Sequence, residues 1–428
     1  MSQFKPYSIQ HLPITSLTEI TLPAENTLVY FWWQTLPLGH LWFEPKRKLT
    51  VAGYKKAIAD SIFTSIHSYV GGQADDVYDL ISAYINRENN VALESYLSHN
   101  LSKFLFENAE KHEHTISVVI CTRNRPQAIE TCIQSLMNAT DTDFELIVVD
   151  NNPDNDLTQQ VVAKYPSVKY ILEPRKGLDI ARNTGAKAAS HSIIAYTDDD
   201  VVIDKNWIRN LKCCFNNPKT MAVTGMVIPV ALNEWSQYVF ERYWGFNKGY
   251  KRTTFDTAFF FKHLKVGVPV WEIGAGANMA FRKEVFSIVG YFDERLDVGA
   301  AGCSGDSEFW YRILAEGFNC YYDPQLIAYH QHRESREALY HQIFHYMRGQ
   351  VASVLVQYEN YGFAGEKRRV MQLLPKYYCS RIYSLFRGLH RGVNDYNKTL
   401  LTEIKGCVSG YKFYKSVQQQ SKYQLKEN

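Results

Sequence analysis

A chain of 428 residues, 46% hydrophobic and 21% charged, can bury a sizeable core, and at about 100–200 residues per domain it holds two or three units. A formal charge of +3 provides no strong field for nucleic acid, and 24 Gly and 14 Pro are too few for a low-complexity chain. The eight cysteines form no CxxC pair and no zinc or disulfide spacing, which fits a reducing cytosol. No apolar run approaches about 18 residues and no signal-peptide pattern opens the chain, so it is expected to be cytoplasmic, either soluble or bound at a membrane surface.

The first hundred residues combine aromatic runs at 30–33 and 41–43 with helical patterns over 54–69 and 77–106, and no chemistry can be placed on them. A polar stretch at 107–114 reads as a linker that closes an N-terminal region, 1–112. Beyond it, short β-branched runs alternate with helix-length segments. Strands are expected at 116–120, 145–150, 168–172 and 192–197, with helices at 126–138, 157–165 and 178–189. Such a rhythm predicts an α/β domain over 113–333, a mostly parallel sheet covered by helices on both faces. After residue 334 the pattern changes to long aromatic and basic helical segments, 339–361 and 367–391, and a polar tail, giving a C-terminal helical region over 334–428.

Ligands of open parallel sheets bind beyond the carboxyl ends of the strands, and polar clusters stand there. Thr122-Arg123-Asn124-Arg125 follows the first strand, Asp150-Asn151-Asn152 ends the second, and Asp198-Asp199-Asp200 ends the fourth. Adjacent carboxylates repel unless a cation or a set of donors compensates them, and Mg²⁺ or Mn²⁺ commonly links one or two carboxylates to substrate phosphates. Taken singly, the acidic run reads equally well as a turn capping the helix that begins near Trp207, and the Asn-rich cluster as a strand-ending turn. Three clusters on one rim favour a site. Gly177 precedes a helix whose first turns carry Arg182 and Asn183, an arrangement suited to an anion.

Seven segments, in order SVVICTRNRP, ELIVVDNN, GLDIARNTG, AYTDDDV, GAGANMAFRKEVF, SGDSEFWYRI and AYHQHR, resemble the family-two glycosyltransferases of the GT-A fold over about residues 115–333. The resemblance implies a nucleotide diphosphate-sugar donor, most often a uridine one, and a divalent metal. Thr122, Arg123 and Asp150 match positions that hold base and ribose, with Asn124 beside them, and Arg182 matches one near the pyrophosphate. Asp198 and Asp200 match the outer pair of the Asp-x-Asp motif, Asp200 as the direct metal ligand and Asp198 facing ribose and metal, while Asp199 is the variable middle residue, counted with the nucleotide-sugar ligands. Gly276 and Asn278 fall in the acceptor-side loop, and Trp271 offers a sugar-stacking face. Asp306 matches the catalytic base, with Glu308 as its understudy and an acceptor-side ligand, although Gly305 stands where the family has an acid. His330 matches a histidine near the metal or phosphates.

The resemblance thus implies an inverting transferase that moves a sugar to a hydroxyl of a carbohydrate or lipid-linked acceptor, in surface polysaccharide or glycolipid synthesis. Two rivals are a sugar nucleotidyltransferase, which would open with a Gly-rich basic loop that CTRNRP lacks, and a non-catalytic sugar-binding or scaffold protein, against which Asp198, Asp200 and Asp306 argue. In the segment 376–391, Tyr378, Ile382, Leu385, Phe386 and Leu389 share a helical face among basic residues, suited either to an anionic membrane or to packing on the catalytic domain.

Overall fold

The computed structural model describes residues 4–47, 50–71, 76–87, 91–105, 114–387 and 394–418. Most of the linker expected at 107–114, and the boundary set there, lie outside these. The aromatic runs of the N-terminal region are strands. β1 (Ser8–Pro13), β2 (Thr27–Trp33) and β3 (Leu36–Phe43) form a sheet in that order. Tyr54, Ile58, Ile62 and Ile66 recur at helical spacing along the helix Val51–Val70 and cover this sheet in a core of its own. The single helix expected over 77–106 is split into Val77–Ile85 and Ala92–Leu101, and Arg87 after the first half takes a left-handed φ of 65°.

The second sheet contains β4 (Ile116–Thr122), β5 (Glu145–Asn151), β6 (Val168–Glu173), β7 (Ile193–Asp198), β8 (Val201–Ile203), β9 (Thr220–Pro229), β10 (Thr253–Phe255), β11 (Asn278–Arg282) and β12 (Asn319–His330). Its order is β10-β12-β9-β11-β7-β4-β5-β6, with β8 on the side of β12. Strands β4 to β7 run parallel and are joined by the helices Pro126–Met137, Leu157–Val162 and Leu178–Ala188, as the sequence rhythm requires. Along these strands Val119, Ile147, Ile194 and Tyr196 enter one core, while Val118, Ile120, Val148 and Ala195 enter another. Successive side chains of a strand point to opposite faces, so both faces are covered and the strands read as continuous apolar runs. β11 is antiparallel to both neighbours, β7 and β9, and β9 is parallel to β12.

One short pairing matters for the site. After Asp198 the chain turns back as β8 and pairs antiparallel with the end of β12, setting Val201 opposite His330. The Gln331 amide then donates to the Asp200 carbonyl at 3.1 Å. Two segments far apart in sequence are fixed side by side.

The regions expected on either side of the catalytic domain pack directly on it. Tyr7 stacks on Tyr238 at 5.1 Å, and Arg252 donates to the Phe104 carbonyl at 2.8 Å. The long helix Arg336–Tyr361 packs on the loop that leads to Asp306, and Arg295 pairs with its Glu359 at 3.2 Å. The helix Leu400–Val417 lies along that long helix, with Gly406 and Gly410 against the carbonyls of Phe344 and Arg348. Residue 333 therefore marks a change of sequence rhythm and not of packing. The face expected at 376–391 is also divided: Tyr378 turns inward to donate to Glu403 at 3.2 Å, while Ile382 and Leu385 on the helix Leu374–Phe386 are exposed. The Phe386 side chain and Leu389 lie outside the described residues. No described helix is long and apolar enough to cross a membrane.

A Cβ at Gly349 would lie 2.3 Å from the Cys303 carbonyl oxygen, so the loop before Asp306 rests on bare backbone. Overpacking such a contact costs about 1–3 kcal/mol. Gly349→Val is expected to lose that much stability in urea unfolding, whereas the same change at Gly362, with nothing within 4 Å but a φ of 73°, tests backbone strain alone.

Candidate active site

The carboxyl ends of β4, β5, β7 and β12 meet on one edge of the sheet. Asp198 ends β7, the chain turns at Asp199 and Asp200, and the β8–β12 pairing delivers His330. One ligand atom from each of Asp198, Asp200 and His330 can be chosen so that all lie within 4.8 Å of one another. His330 Nε2 stands 3.4 Å from Asp200 Oδ1, and Arg125 Nη1 and Arg333 Nη2 approach Asp200 Oδ2 at 3.1 and 3.6 Å. Burial opposes ionisation of Asp200, but the His330 bond and the charges of His330, Arg333 and Arg125 outweigh it and hold its carboxyl well below the usual range. Burial and the charge of Asp200 push Asp198 the other way, up to about 6. Two carboxylate oxygens and an imidazole nitrogen so disposed fit a divalent cation. Behind them, His330 Nδ1 lies 3.0 Å from His332 Nδ1, and His332 Nε2 lies 2.9 Å from Glu241 Oε2.

Asp199 points the opposite way. It accepts from Thr122 Oγ1 at 2.7 Å and from Arg125 at 2.8 Å and is 5% exposed, so the expected nucleotide ligand is instead a tether between β7 and β4. On β5, Asp150 is fully buried: Tyr170 donates to Oδ2 at 3.0 Å, and Oδ1 meets no partner among the described residues. Burial pushes this carboxyl up. An unpaired buried acceptor is costly unless something else satisfies it, and Asp150 stands opposite Thr122 in the β4–β5 register. Beside them Arg123 donates to the Asn152 carbonyl at 2.9 Å, and Asn124, with φ 57°, accepts from the Asp154 amide at 2.9 Å. Both expected binding residues thus also hold the loop in shape.

The second half of the site lies at the start of the helix Gly305–Ala315. A Cβ at Gly276 would sit 3.0 Å from both Arg182 Nη2 and Asp306 Oδ2, so this loop passes closely between them and a larger residue would push one of them aside. Arg182 is 4% exposed and pairs with Asp179 at 2.9 Å and Asp297 at 2.7 Å. Its guanidinium, expected to face a pyrophosphate, is already engaged by these two carboxylates. Asp306 is pushed up by burial and by Asp297, with Arg182 opposing. The missing acid at position 305 has a steric reason: a Cβ there would lie 2.0 Å from Asp179 Oδ2, in space that Asp179 fills.

Two acceptor-side expectations are overturned. Asn278 is 1% exposed; its amide donates to the carbonyls of Met226 at 3.0 Å and Leu326 at 2.8 Å, and its oxygen accepts from Trp207 Nε1 at 2.9 Å. It stitches β11 into the sheet and has nothing left for a sugar. Glu308 is fully buried against Arg312 at 2.9 Å, two residues round the helix from Asp306 and on its inner side, which excludes it as acceptor ligand or understudy. Trp271 is half-buried, with Arg369 stacked on one face at 4.1 Å.

Sequence reasoning assigned no role to Arg125, Glu241, Lys248, His332, Arg333 or Tyr346. Arg125 and Arg333 stand within quoted motifs and could have been found there. Glu241 and Tyr346 carry no local signal, since each reaches the site from a helix remote in sequence. Tyr346 lies within electrostatic reach of Asp198 and Asp306, and burial pushes the Lys248 ammonium down despite Asp306 and Glu272. Asn278→Ala would strand Trp207 and two buried carbonyls, at about 1–3 kcal/mol for each unsatisfied group. Calorimetric melting should show that loss, and Mn²⁺ affinity of the folded variant should be unchanged.

Among known proteins, the family described as glycosyl transferase family 2 matches residues 117–289. A glucosyl-dolichyl phosphate glucuronosyltransferase of Haloferax volcanii is 27% identical over 184 residues, 42% of this chain and 56% of the relative. An O-antigen biosynthesis protein of Myxococcus xanthus, RfbC, is 24% identical, over 52% of this chain and 18% of the relative. The glycosyltransferase AglE of Haloferax volcanii is 24% identical, over 55% and 73%. The match thus spans about half the length of the first of these relatives and less than a fifth of the second. Among solved structures, a mannosyltransferase of Pyrobaculum calidifontis in complex with GDP-Man and Mn²⁺ resembles 75% of this chain, with 98% of its own chain covered, a TM-score of 0.48 and 14% identity.

Proposed function

We propose, from the match of residues 117–289 to glycosyl transferase family 2, that this chain belongs to that family and moves a sugar from a uridine diphosphate-sugar to a hydroxyl of a carbohydrate or lipid-linked acceptor, as a step in surface polysaccharide or glycolipid synthesis. The observation that carries this reading is that Arg182 lies within electrostatic reach of both Asp198, in the cation site, and Asp306, the raised carboxyl across the rim. A relative named for action on a glucosyl-dolichyl phosphate supports the lipid-linked acceptor.

In this reading Asp150 Oδ1, unpartnered among the described residues, accepts from the base or ribose, with Thr122, Arg123 and Asn124 lining the same corner. Asp198, Asp200 and His330 would hold Mn²⁺ or Mg²⁺, the imidazole favouring Mn²⁺. A cation bound there supplies Lewis-acid stabilisation of the departing diphosphate. Arg333, its side chain 40% exposed beside Asp200, adds a second positive group on that side. Asp306 takes the proton from the acceptor hydroxyl as its oxygen attacks the anomeric carbon opposite the diphosphate, and one displacement inverts that centre. Burial makes Asp306 a stronger base than an exposed aspartate. Arg182 offsets the surrounding negative charge and orients it, and Gly276 leaves room for the acceptor.

General-base help is worth about 10²–10⁴-fold, so Asp306→Asn should lower kcat by that range while donor affinity holds; lost donor binding with intact turnover would remove it from this role. A base acts deprotonated, and the Asp306 pKa is raised. The acid limb of the wild-type kcat–pH profile should therefore lie above the ordinary aspartate range and be absent from the residual activity of the Asn variant. Asp200→Ala should abolish metal-dependent nucleotide binding in calorimetry. Release of nucleoside diphosphate, as opposed to pyrophosphate, separates this reading from a nucleotidyltransferase.

We further place the protein in the cytoplasm, peripheral to an anionic membrane. Between residues 367 and 418 the sequence has eleven Lys or Arg against two Asp or Glu, one of which, Glu403, is buried. Leu401, Val408 and Tyr411 are exposed at helical spacing with Lys405, Lys412 and Lys415 on the helix Leu400–Val417. A Leu401→Glu, Val408→Glu variant should lose co-sedimentation with phosphatidylserine vesicles; retention equal to wild type would sink the membrane reading.

A further inference from the structure

The proposed function gives His330 a place in the cation site, and the residues behind it determine whether its ring can serve there. The chain Glu241–His332–His330 has a direction set by its first member. An ionised carboxylate only accepts hydrogen bonds, so at 2.9 Å from Glu241 Oε2 the His332 Nε2 carries the proton. A neutral imidazole has one donor nitrogen, which leaves His332 Nδ1 with a bare lone pair. Across 3.0 Å from it, His330 Nδ1 must therefore donate. The nitrogen left for a cation is His330 Nε2, which faces Asp200 Oδ1 at 3.4 Å and gives up any proton shared with that carboxylate when a cation binds.

The surroundings hold this chain in register. His332 is 2% exposed and meets the Phe240 ring edge-on at 4.7 Å, while His330 meets Phe246 edge-on at 5.3 Å. Glu241 projects from the helix Trp235–Trp244, and Gln237 of the same helix donates to the His332 carbonyl at 3.3 Å. Thus one helix supplies both the carboxylate and the grip on the residue it orients.

We propose that Glu241 and His332 are positioning residues that act in series, holding the His330 ring with Nδ1 donating to His332 so that its Nε2 completes the cation site with Asp198 and Asp200. The inference rests on the cation reading and deepens it. Removing an outer partner of a metal-binding histidine typically weakens metal affinity 10–100-fold, and two residues acting through one path do not add.

The test uses Mn²⁺ alone as probe, titrated into the full chain by calorimetry and followed by electron spin echo modulation from ligated nitrogen. His332→Phe and Glu241→Met should each raise the Mn²⁺ Kd about 10–100-fold and diminish the nitrogen modulation. The double variant should bind no more weakly than the weaker single one, and Glu241→Gln, which keeps an accepting oxygen, should retain wild-type affinity. Independently of any variant, ¹⁵N-histidine spectra of the metal-free wild type should show His330 protonated at Nδ1. Unchanged Kd in folded His332→Phe while His330→Ala is weakened would overturn the relay alone, as would a His330 without a proton at Nδ1. Absence of Mn²⁺ binding by the wild type would overturn the relay and the cation reading together.

Discussion

Asp198, Asp199 and Asp200 stand side by side at the end of a strand covered on both faces, where like charges cannot all ionise without compensation. The arrangement of the whole sheet edge follows from that constraint. Asp199 is turned back to Thr122 and Arg125, Asp200 is ringed by His330, Arg125 and Arg333, and Asp198 keeps a raised carboxyl that a cation would relieve. A few residues away the same problem recurs among Asp179, Asp297 and Asp306, and a single buried guanidinium, Arg182, answers it. Three adjacent acids thus acquire three separate roles because each meets a different set of donors.

Close backbone contact is one of the ways the scaffold keeps these groups in place. Gly276 passes between Arg182 and Asp306, Gly305 yields its side to Asp179, and Gly349 lets the long C-terminal helix rest on Cys303. Each is a position where a methyl group would collide with a charged or backbone atom, so small residues here carry positional information. The N-terminal and C-terminal regions take part in this scaffold: Glu359 binds Arg295, and Tyr7 stacks on the helix that presents Glu241. A proposed membrane-facing surface on the last helix would then be mechanically continuous with the loop that carries Asp306, because that helix packs along the one bearing Gly349.

The cation site itself depends on topology of the simplest kind. Three residues of β8 pairing with the end of β12 bring His330 to Asp200, and everything behind His330 is arranged by a helix that neither strand touches in sequence. Local folding alone would leave the acidic run as an ordinary turn.

Read by itself, the sequence determined the parallel half of the sheet, its helices, and the strand ends that carry Thr122, Asp150, Asp198 and Asp200, since strand and helix periods and strand-end polar clusters are local patterns; Asp306 and His330 were reached only through the family resemblance. It missed the break at Arg87, where a left-handed residue interrupts a helical pattern. It also misread Asn278 and Glu308, because composition shows that a polar side chain is present but not which way it points or what it already binds. Only the tertiary structure decided that Asn278 stitches β11 to its neighbours, that Glu308 pairs inward with Arg312, that Asp179 fills the space beside Gly305, and that Glu241 reaches His330 through His332. These are contacts between segments distant in the chain, set by packing and hydrogen-bond direction in three dimensions, and no spacing of residues along one segment encodes them.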